Sequence, residues 1–440
     1  MKKLLLIQPS PYEQNKQVIK KNKLYFVGLS LPILAALTPE NWDIELIYEV
    51  IENIPFDTDA DLIGISTMGH GVIRSIDVAC ELRKRGKTVV FGGYMASIMP
   101  DEAKKHCDAL VIGDAEIVWK EVLHDFCEGT LKTVYEKPLP DGFYSTPKPR
   151  FDLLKNKNIG DFLPVQVGRG CPNSCSFCSV ACLYKGRYVK RPLEEVIRDV
   201  EQIKSLGFKK LLLLDDNIFS DRNYLNDLLK VLENQGTTWM SQCEIRIGEE
   251  GDLLEKLYKS GCRTLSFGIE SLSKESLIGM EKGWVNPHDH HRLIQNIKRH
   301  GIDVSTEMIV GGEGDTLESI QRTKRFIEKN RISVPRFYIL TPFPGTKFFE
   351  QIKASGRLVN HDIYSYDGTA AVYQPKNMTP DELTDAYWQL YEDLFTLKSI
   401  FIRNILKKEF LKTPWRCMFN LVVNLYYRGQ VKKRVTPNIF

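Results

Sequence analysis

Short apolar runs that end in small residues alternate with helix-patterned segments over the first 135 residues. No other feature constrains the fold as much. Strand-like runs fall at 3–7, 43–50, 60–67, 88–93 and 109–113. Between them, 74–85 and 116–126 carry apolar residues at helical spacing. Apolar strands separated by helices call for a parallel sheet covered on both faces. Five of them predict a doubly wound α/β domain, Rossmann-like and of the flavodoxin-like kind, over 1–135. Ligands of such sheets sit at the carboxyl ends of the strands. Those ends read Ser66-Thr67-Met68-Gly69-His70-Gly71, Gly92-Gly93-Tyr94 and Gly113-Asp114-Ala115-Glu116.

Residues 136–160, rich in Pro, Lys and Asp, read as a linker. A second alternation follows, with strands expected at 162–167, 210–215, 238–245, 264–269, 304–310 and 336–341. The clearest helix begins with Pro192 at its first position. Its apolar stripe is Leu193, Val196, Ile197, Val200, Ile203 and Leu206, and Gly207 stops it. Six strand–helix units are too few for a closed eight-stranded barrel and suit a partial, TIM-like (β/α)6 barrel over 161–365. Sites on such barrels gather at the C-terminal strand ends. Residues 366–440 read as a helical, basic region, with Thr379 capping a helix that Pro380 opens.

A hydrophobic fraction of 43% argues against disorder, and 30 glycines among 440 residues exclude a collagen-like chain. No apolar run reaches the roughly eighteen residues of a membrane-spanning helix. The start imitates a signal peptide only briefly, since its apolar stretch, 4–7, ends at Gln8-Pro9. A first strand and a cytoplasmic protein are expected. Residues 398–440 hold ten Lys or Arg against one acid, Glu409, a local charge of +9. With a total of +4, the rest of the chain carries −5.

Ten cysteines in such a chain do not suggest a disulfide scaffold. Cys80, Cys107, Cys127, Cys243, Cys262 and Cys417 are scattered and read as packing residues. Cys171, Cys175, Cys178 and Cys182 fall within twelve residues, directly after the first strand of the second region. The spacing C-x3-C-x2-C brings three thiolates around one centre, and thiolates suit zinc or iron–sulfur clusters. Structural zinc wants four closed ligands in two pairs, and Cys182 has no evident partner. A cluster with three protein ligands and one open iron is favoured over a zinc-stabilised binding protein.

This loop, Gly168-Arg-Gly-Cys171-Pro-Asn-Ser-Cys175-Ser-Phe177-Cys178, resembles that of the radical S-adenosylmethionine (SAM) superfamily. The resemblance extends over the second region. Asp215-Asp216-Asn217 ends the second strand, where the family places groups for the ligand's amino end; a helix cap is the other reading of Asp215. Glu270-Ser271 ends the fourth, where ribose hydroxyls are held. Glu307-Met308 to Glu313 ends the fifth, near the adenine. The resemblance implies metal ligands Cys171, Cys175 and Cys178, a [4Fe–4S] cluster and SAM. SAM's amino and carboxylate groups chelate the open iron. One electron, from a donor such as a flavodoxin or ferredoxin, then cleaves the sulfonium to methionine and a 5′-deoxyadenosyl radical, which abstracts a substrate hydrogen.

The first region resembles the cobalamin-binding domain that precedes the radical core in one branch of this superfamily. That resemblance makes Ser66, Thr67, Gly92, Gly93, Gly113 and Glu116 candidate cobalamin contacts. The D-x-H-x-x-G motif, whose His ligates cobalt in some cobalamin proteins, is absent; His70 follows the third strand, not the first. The implied activity is cobalamin-dependent C-methylation of an unactivated carbon in a lipid or other secondary metabolite. Radical cyclisation or rearrangement is the alternative. Glu244 and Arg246 line the pocket if they face inward and are solvated otherwise. Tyr338 and Thr341 either meet substrate or pack in the core. The aromatic, Arg-containing stretch 414–428 suits either an anionic membrane surface or docking on the barrel with a solvated basic face. A single basic tail does not amount to a nucleic-acid surface.

Overall fold

Leu4, Leu5, Leu6 and Ile7 are at most 1% exposed, as the continuous apolar pattern of the first strand requires. The structure, a computed structural model, describes residues 1–437 except 14, 68, 407 and 408 and the side chains of 70, 363, 409 and 412. Packing divides the chain into two units. The first holds Met1–Gln166 and Val189–Phe208; the second holds Val167–Tyr188 and the residues from Lys209 onward. These divisions fall elsewhere than the expected 1–135, 136–160, 161–365 and 366–440.

The first unit contains β1 (Lys2–Gln8), β2 (Leu24–Phe26), β3 (Trp42–Tyr48), β4 (Leu62–Thr67), β5 (Thr88–Gly93), β6 (Ala109–Ile112), β7 (Val134–Glu136) and β8 (Ile159–Gln166). Its main sheet runs β3-β1-β4-β5-β6-β7, with every pairing parallel. The five expected strands thus stand in the order second, first, third, fourth, fifth, which is the flavodoxin-like order. The three-residue β2 and β7 are too short to leave a pattern in the sequence.

The expected linker is built into this unit. Phe151 and Leu154 are buried, and the Arg150 amide donates to the Pro32 carbonyl at 3.0 Å. Prolines deny the segment ladder donors, so side chains hold it instead. Ser145 donates to Glu195 at 2.5 Å, and Thr146 accepts from the buried Arg191 at 3.2 Å. Arg191 also pairs with Asp199 at 2.8 Å. Glu195 and Asp199 are therefore buried on the helix Leu193–Ser205, beside its apolar stripe. That helix starts at the first residue of the stripe, one residue later than expected: Pro192, at ψ 131°, is its cap rather than its first residue.

In the second unit, β9 (Gly168–Gly170) and Tyr188, the first residue of β10 (Tyr188–Lys190), bracket the cysteine loop. Then come β11 (Lys210–Leu214), β12 (Thr238–Cys243), β13 (Cys262–Glu270), β14 (Asp303–Val310) and β15 (Val334–Ile339). They pair in chain order, all parallel. The Val167 amide donates to the Leu214 carbonyl at 3.0 Å, so the ladder continues at the last residue of the first expected strand. The fold is α/β with parallel sheets. β11, β12 and β15 stop one or two residues short of the expected ends, which puts Asp215, Glu244 and Thr341 in the loops just beyond.

The C-terminal residues pack as part of this unit. A reciprocal cap of Thr379 and Glu382 opens the helix Pro380–Leu394, which buries Leu383, Tyr387, Leu390 and Leu394. The helices Leu397–Asn404 and Pro414–Lys432 follow. Arg403, wholly buried, donates to the carbonyls of Ile332 (2.9 Å) and Leu394 (2.8 Å) and to Asn424 Oδ1 (3.1 Å). Among the described residues no helix is long and apolar enough to cross a membrane.

Candidate active site

The cysteine loop is anchored by the two residues between its second and third cysteines. The Ser176 amide donates to the Met280 carbonyl (3.0 Å), and its carbonyl accepts from the Phe348 amide (2.9 Å). Phe177 packs against a core of Met280, Ile309, Leu340, Phe348, Ile352 and Tyr373. This explains the aromatic before Cys178: it fastens the loop to the core. Gly168 and Gly170 leave the loop room. A Cβ on Gly168 would lie 2.5 Å from both Asp215 Oδ2 and the Tyr188 hydroxyl, and Gly170 sits at φ +81°.

Burial raises all three thiols, pushing Cys175 up to about 12. Negative charge on Cys178 and Cys171 adds to the rise at Cys175, and the Lys282 ammonium opposes it. The amides of Ala181 and Val180, in the first turn of the helix Ser179–Tyr184, favour a thiolate on Cys178. Among the described residues no three His, Cys, Asp or Glu side chains are drawn closely enough together to hold a metal ion. The donor set nevertheless fits a cationic centre. Three soft ligands on one loop act on each other electrostatically, and bound metal would relieve both their desolvation and their mutual repulsion. Cys182 does not join them: its Sγ donates to the Gly345 carbonyl at 3.0 Å.

Carboxylates from three strand ends surround this loop. Asp216 Oδ2 accepts the Gly170 amide at 2.7 Å. Asp215 accepts from the Tyr188 hydroxyl (2.7 Å) and the Asn217 amide (2.9 Å), so it braces the loop and is not a helix cap; Asp221 caps the next helix. Burial pushes Asp215 up to about 7. Asn217 holds Glu244 twice, through the Glu244 amide (3.0 Å) and its Oε2 (3.2 Å), and Asn173 of the cysteine loop reaches the same oxygen at 3.4 Å. Glu244 therefore faces the loop. Arg246 is exposed, bonded to Glu244 Oε1 at 2.7 Å and lying 4.5 Å from the centre of the Trp284 ring.

Glu270 has φ +59°, a left-handed conformation that costs a non-glycine residue about 1 kcal/mol or more. The buried Lys282 compensates, bonding Glu270 Oε1 at 2.8 Å and the Gly268 carbonyl at 2.7 Å. Ser271 turns inward, donating to Asp315 at 3.4 Å. Asp315 also accepts the Gly311 and Gly312 amides, each at 2.9 Å, and so shapes the loop after β14. Met308 is 1% exposed and packs in the core. Glu307 pairs with Arg336 and accepts from Ser266 at 3.2 Å. Tyr338, two residues along β15 from Arg336, lies on the same strand face. Thr341 is buried, with its hydroxyl on the Ile339 carbonyl.

In the first unit the strand ends are small and nearly uncharged. Thr67 is fully buried and spends its hydroxyl internally, donating to the Gly92 carbonyl (3.0 Å) and accepting the Met95 amide (3.1 Å). Gly93 has φ +90°, and a Cβ there would lie 2.6 Å from the Thr67 carbonyl oxygen. Gly113, at φ +79°, donates its amide to Ser97 at 3.0 Å. Ser66 is half-buried with its Oγ 3.4 Å from that of Ser30, and Glu116 lies in a half-buried 3-10 turn. The His70 side chain lies outside the described residues. Of the scattered cysteines, Cys107, Cys243, Cys262 and Cys417 are buried as expected, Cys80 is partly so, and Cys127 is exposed at the end of its helix.

Residues 165–327, which span the cysteine loop and the strand ends around it, match the family model described as Radical SAM superfamily. The stretch that holds the cysteine loop is a radical SAM domain. It is 27% identical to the bacteriochlorophyllide d C-12(1)-methyltransferase of Chlorobaculum tepidum, over all of this chain and 95% of that protein. It is 29% identical to the bacteriochlorophyllide d C-8(2)-methyltransferase of the same organism, over 91% of each. The fold is shared with the cobalamin-dependent SAM radical enzyme OxsB, solved with aqua-cobalamin and SAM bound: TM-score 0.69, 14% identity, covering 97% of this chain and 73% of that one. Fold similarity to OxsB thus extends over nearly the whole of this chain.

Several residues of the site were not foreseen. Lys282, Asp315 and Tyr188 come from segments far apart in sequence and lie in no recognisable motif, and the positioning role of Asn217 does not follow from the Asp215-Asp216-Asn217 segment that holds it. The one signal available was Lys282 itself, a charged residue two positions after Leu277-Ile278-Gly279-Met280.

Proposed function

We propose that this radical SAM enzyme is a cobalamin-dependent C-methyltransferase acting on an unactivated carbon of a small molecule or lipid. The observation that carries this reading is the combination of two kinds of strand end in one chain. One set carries thiols and carboxylates and the other is small and open, and similarity to two C-methyltransferases runs the full length. A [4Fe–4S] cluster supplies, when bound, the electron for reductive cleavage of SAM. Cys171, Cys175 and Cys178 would hold it. Asp216 and Asn217 keep the loop and Glu244 in place beside it. Glu270, fixed by Lys282, presents a carboxylate where a hydroxyl or ammonium donor of SAM can bind. Ser66, Gly92, Gly93, Gly113 and Glu116 border the face on which cobalamin would lie, with glycines where backbone must approach it closely. A small one-electron donor protein is the partner the chemistry requires.

Anaerobic purification with added cobalamin tests the reading. Iron and sulfide at about four per chain, with bound cobalamin, are expected. With the correct substrate, S-adenosylhomocysteine should appear together with 5′-deoxyadenosine. 5′-Deoxyadenosine alone would favour rearrangement, and one zinc per chain without sulfide would overturn the radical reading.

A further inference from the structure

The helix Pro414–Lys432 is apolar on two opposite sides. One side, with Cys417, Asn420, Asn424, Tyr427 and Val431, is buried in the second unit. The other carries Trp415 (86% exposed), Met418, Phe419, Val422 (59%) and Leu425. At 100° per residue these five span an arc of about 120°. A surface helix of a globular protein ordinarily turns charged residues to that side. Leu397 and Phe401, on the neighbouring helix, are also exposed. Nine of the twenty large hydrophobic side chains exposed among the described residues fall within 397–425. A patch this concentrated marks a binding surface.

The charge around it identifies the occupant. Residues 398–440 carry +9. The docked alternative read from the sequence expected those charges on the solvent face; instead, several turn inward. Arg403, Arg416 and Arg428 donate to carbonyl oxygens. Lys432 and Lys433 are exposed at the C-terminal end of the apolar arc. A second protein copy bearing the same face would set like charge against like charge. An anionic bilayer accepts apolar side chains at its acyl boundary and cations at its headgroups, and tryptophan favours that boundary. We propose that this face of the C-terminal helices is a peripheral docking surface for anionic membranes.

The test uses the full chain, purified anaerobically, and needs no substrate. Flotation with vesicles of phosphatidylglycerol and phosphatidylcholine in equal parts should give at least about tenfold tighter partitioning than with phosphatidylcholine alone. Salt at about 0.5 M should remove most of the difference. The exposed double variant Phe419→Ser/Val422→Ser should lose about tenfold in partitioning while its iron content and unfolding temperature stay unchanged. Lys432→Ser/Lys433→Ser should lose the preference for anionic vesicles. Partitioning that is weak and equal on both vesicle types would overturn the proposal. So would a double variant that binds as the parent does, or one that instead converts a dimer to a monomer.

Discussion

The two sets of strand ends solve opposite problems on similar sheets. In the first unit, β4, β5 and β6 end in hydroxyl and glycine residues whose polar groups bond to one another, as Thr67 does with Gly92 and Met95. In the second unit, β11, β12 and β13 lead into Asp215, Asp216, Glu244 and Glu270, held by tyrosine, asparagine and lysine partners. A glycine edge lets a broad ligand meet backbone directly and gives little electrostatic selectivity. A carboxylate edge costs desolvation, which appears as the raised Asp215, and selects charged or hydrogen-bonding groups. The difference teaches that one parallel-sheet plan serves either a large cofactor or a small charged one, according to side-chain size at the edge.

The sharpest way to break the comparison is Cys175→Ala. It should abolish the cluster, with iron and sulfide falling to background and the cluster absorbance lost, while cobalamin binding at the other edge persists. Loss of both cofactors together would show that the edges are not independent.

Lys282→Met comes next. It leaves Glu270 buried and unpaired at a strained φ, and removing one partner of a buried pair costs about 3–5 kcal/mol. Chemical denaturation of the second unit and SAM affinity by calorimetry should both weaken, with no change in cobalamin affinity.

Asp215 predicts a pH dependence. Its folded pKa, about 7, lies above the ordinary aspartate value of about 3.9, so the folded state binds the proton more tightly. This group's contribution to stability is therefore best below about pH 4 and falls as pH rises toward 7, by at most about 4 kcal/mol. Denaturation of the SAM-free protein across that window should show the slope, and Asp215→Asn should flatten it.

Gly93→Ala probes the other edge. Positive φ and the approach to the Thr67 carbonyl together should cost about 1–3 kcal/mol and lower cobalamin affinity without touching iron content. The smallest effect belongs to Cys182→Ala, which removes one bond to the Gly345 carbonyl and should cost about 1 kcal/mol with the cluster intact. Cluster loss in that variant would contradict the three-ligand assignment.

The strand–helix alternation of both units and the cysteine loop were legible in the chain because each rests on spacing within a short window; the strand order of the first unit followed from the fold class that the alternation implied. The packing of the 136–160 segment was not legible because proline-rich sequence marks the absence of regular structure, not the absence of packing; Arg191 anchors it from outside, and its own Arg150 amide reaches back to Pro32. Met308 and Thr67 sit at the right strand ends, but facing and hydrogen bonding, not position, decided that they turn inward.

The sequence alone determined the chemistry available: three thiols at ligand spacing, carboxylates and glycines at strand ends, and a cationic tail. Those follow from local covalent order. Only the tertiary structure decided which carboxylate is braced by which donor, that Lys282 neutralises Glu270, that Cys182 stands apart, and that the tail turns apolar residues outward. Such pairings join positions up to more than one hundred residues apart, as Asn420 with Asp303. They depend on burial, which makes each unpaired charge costly and so selects its partner only once the chain has folded.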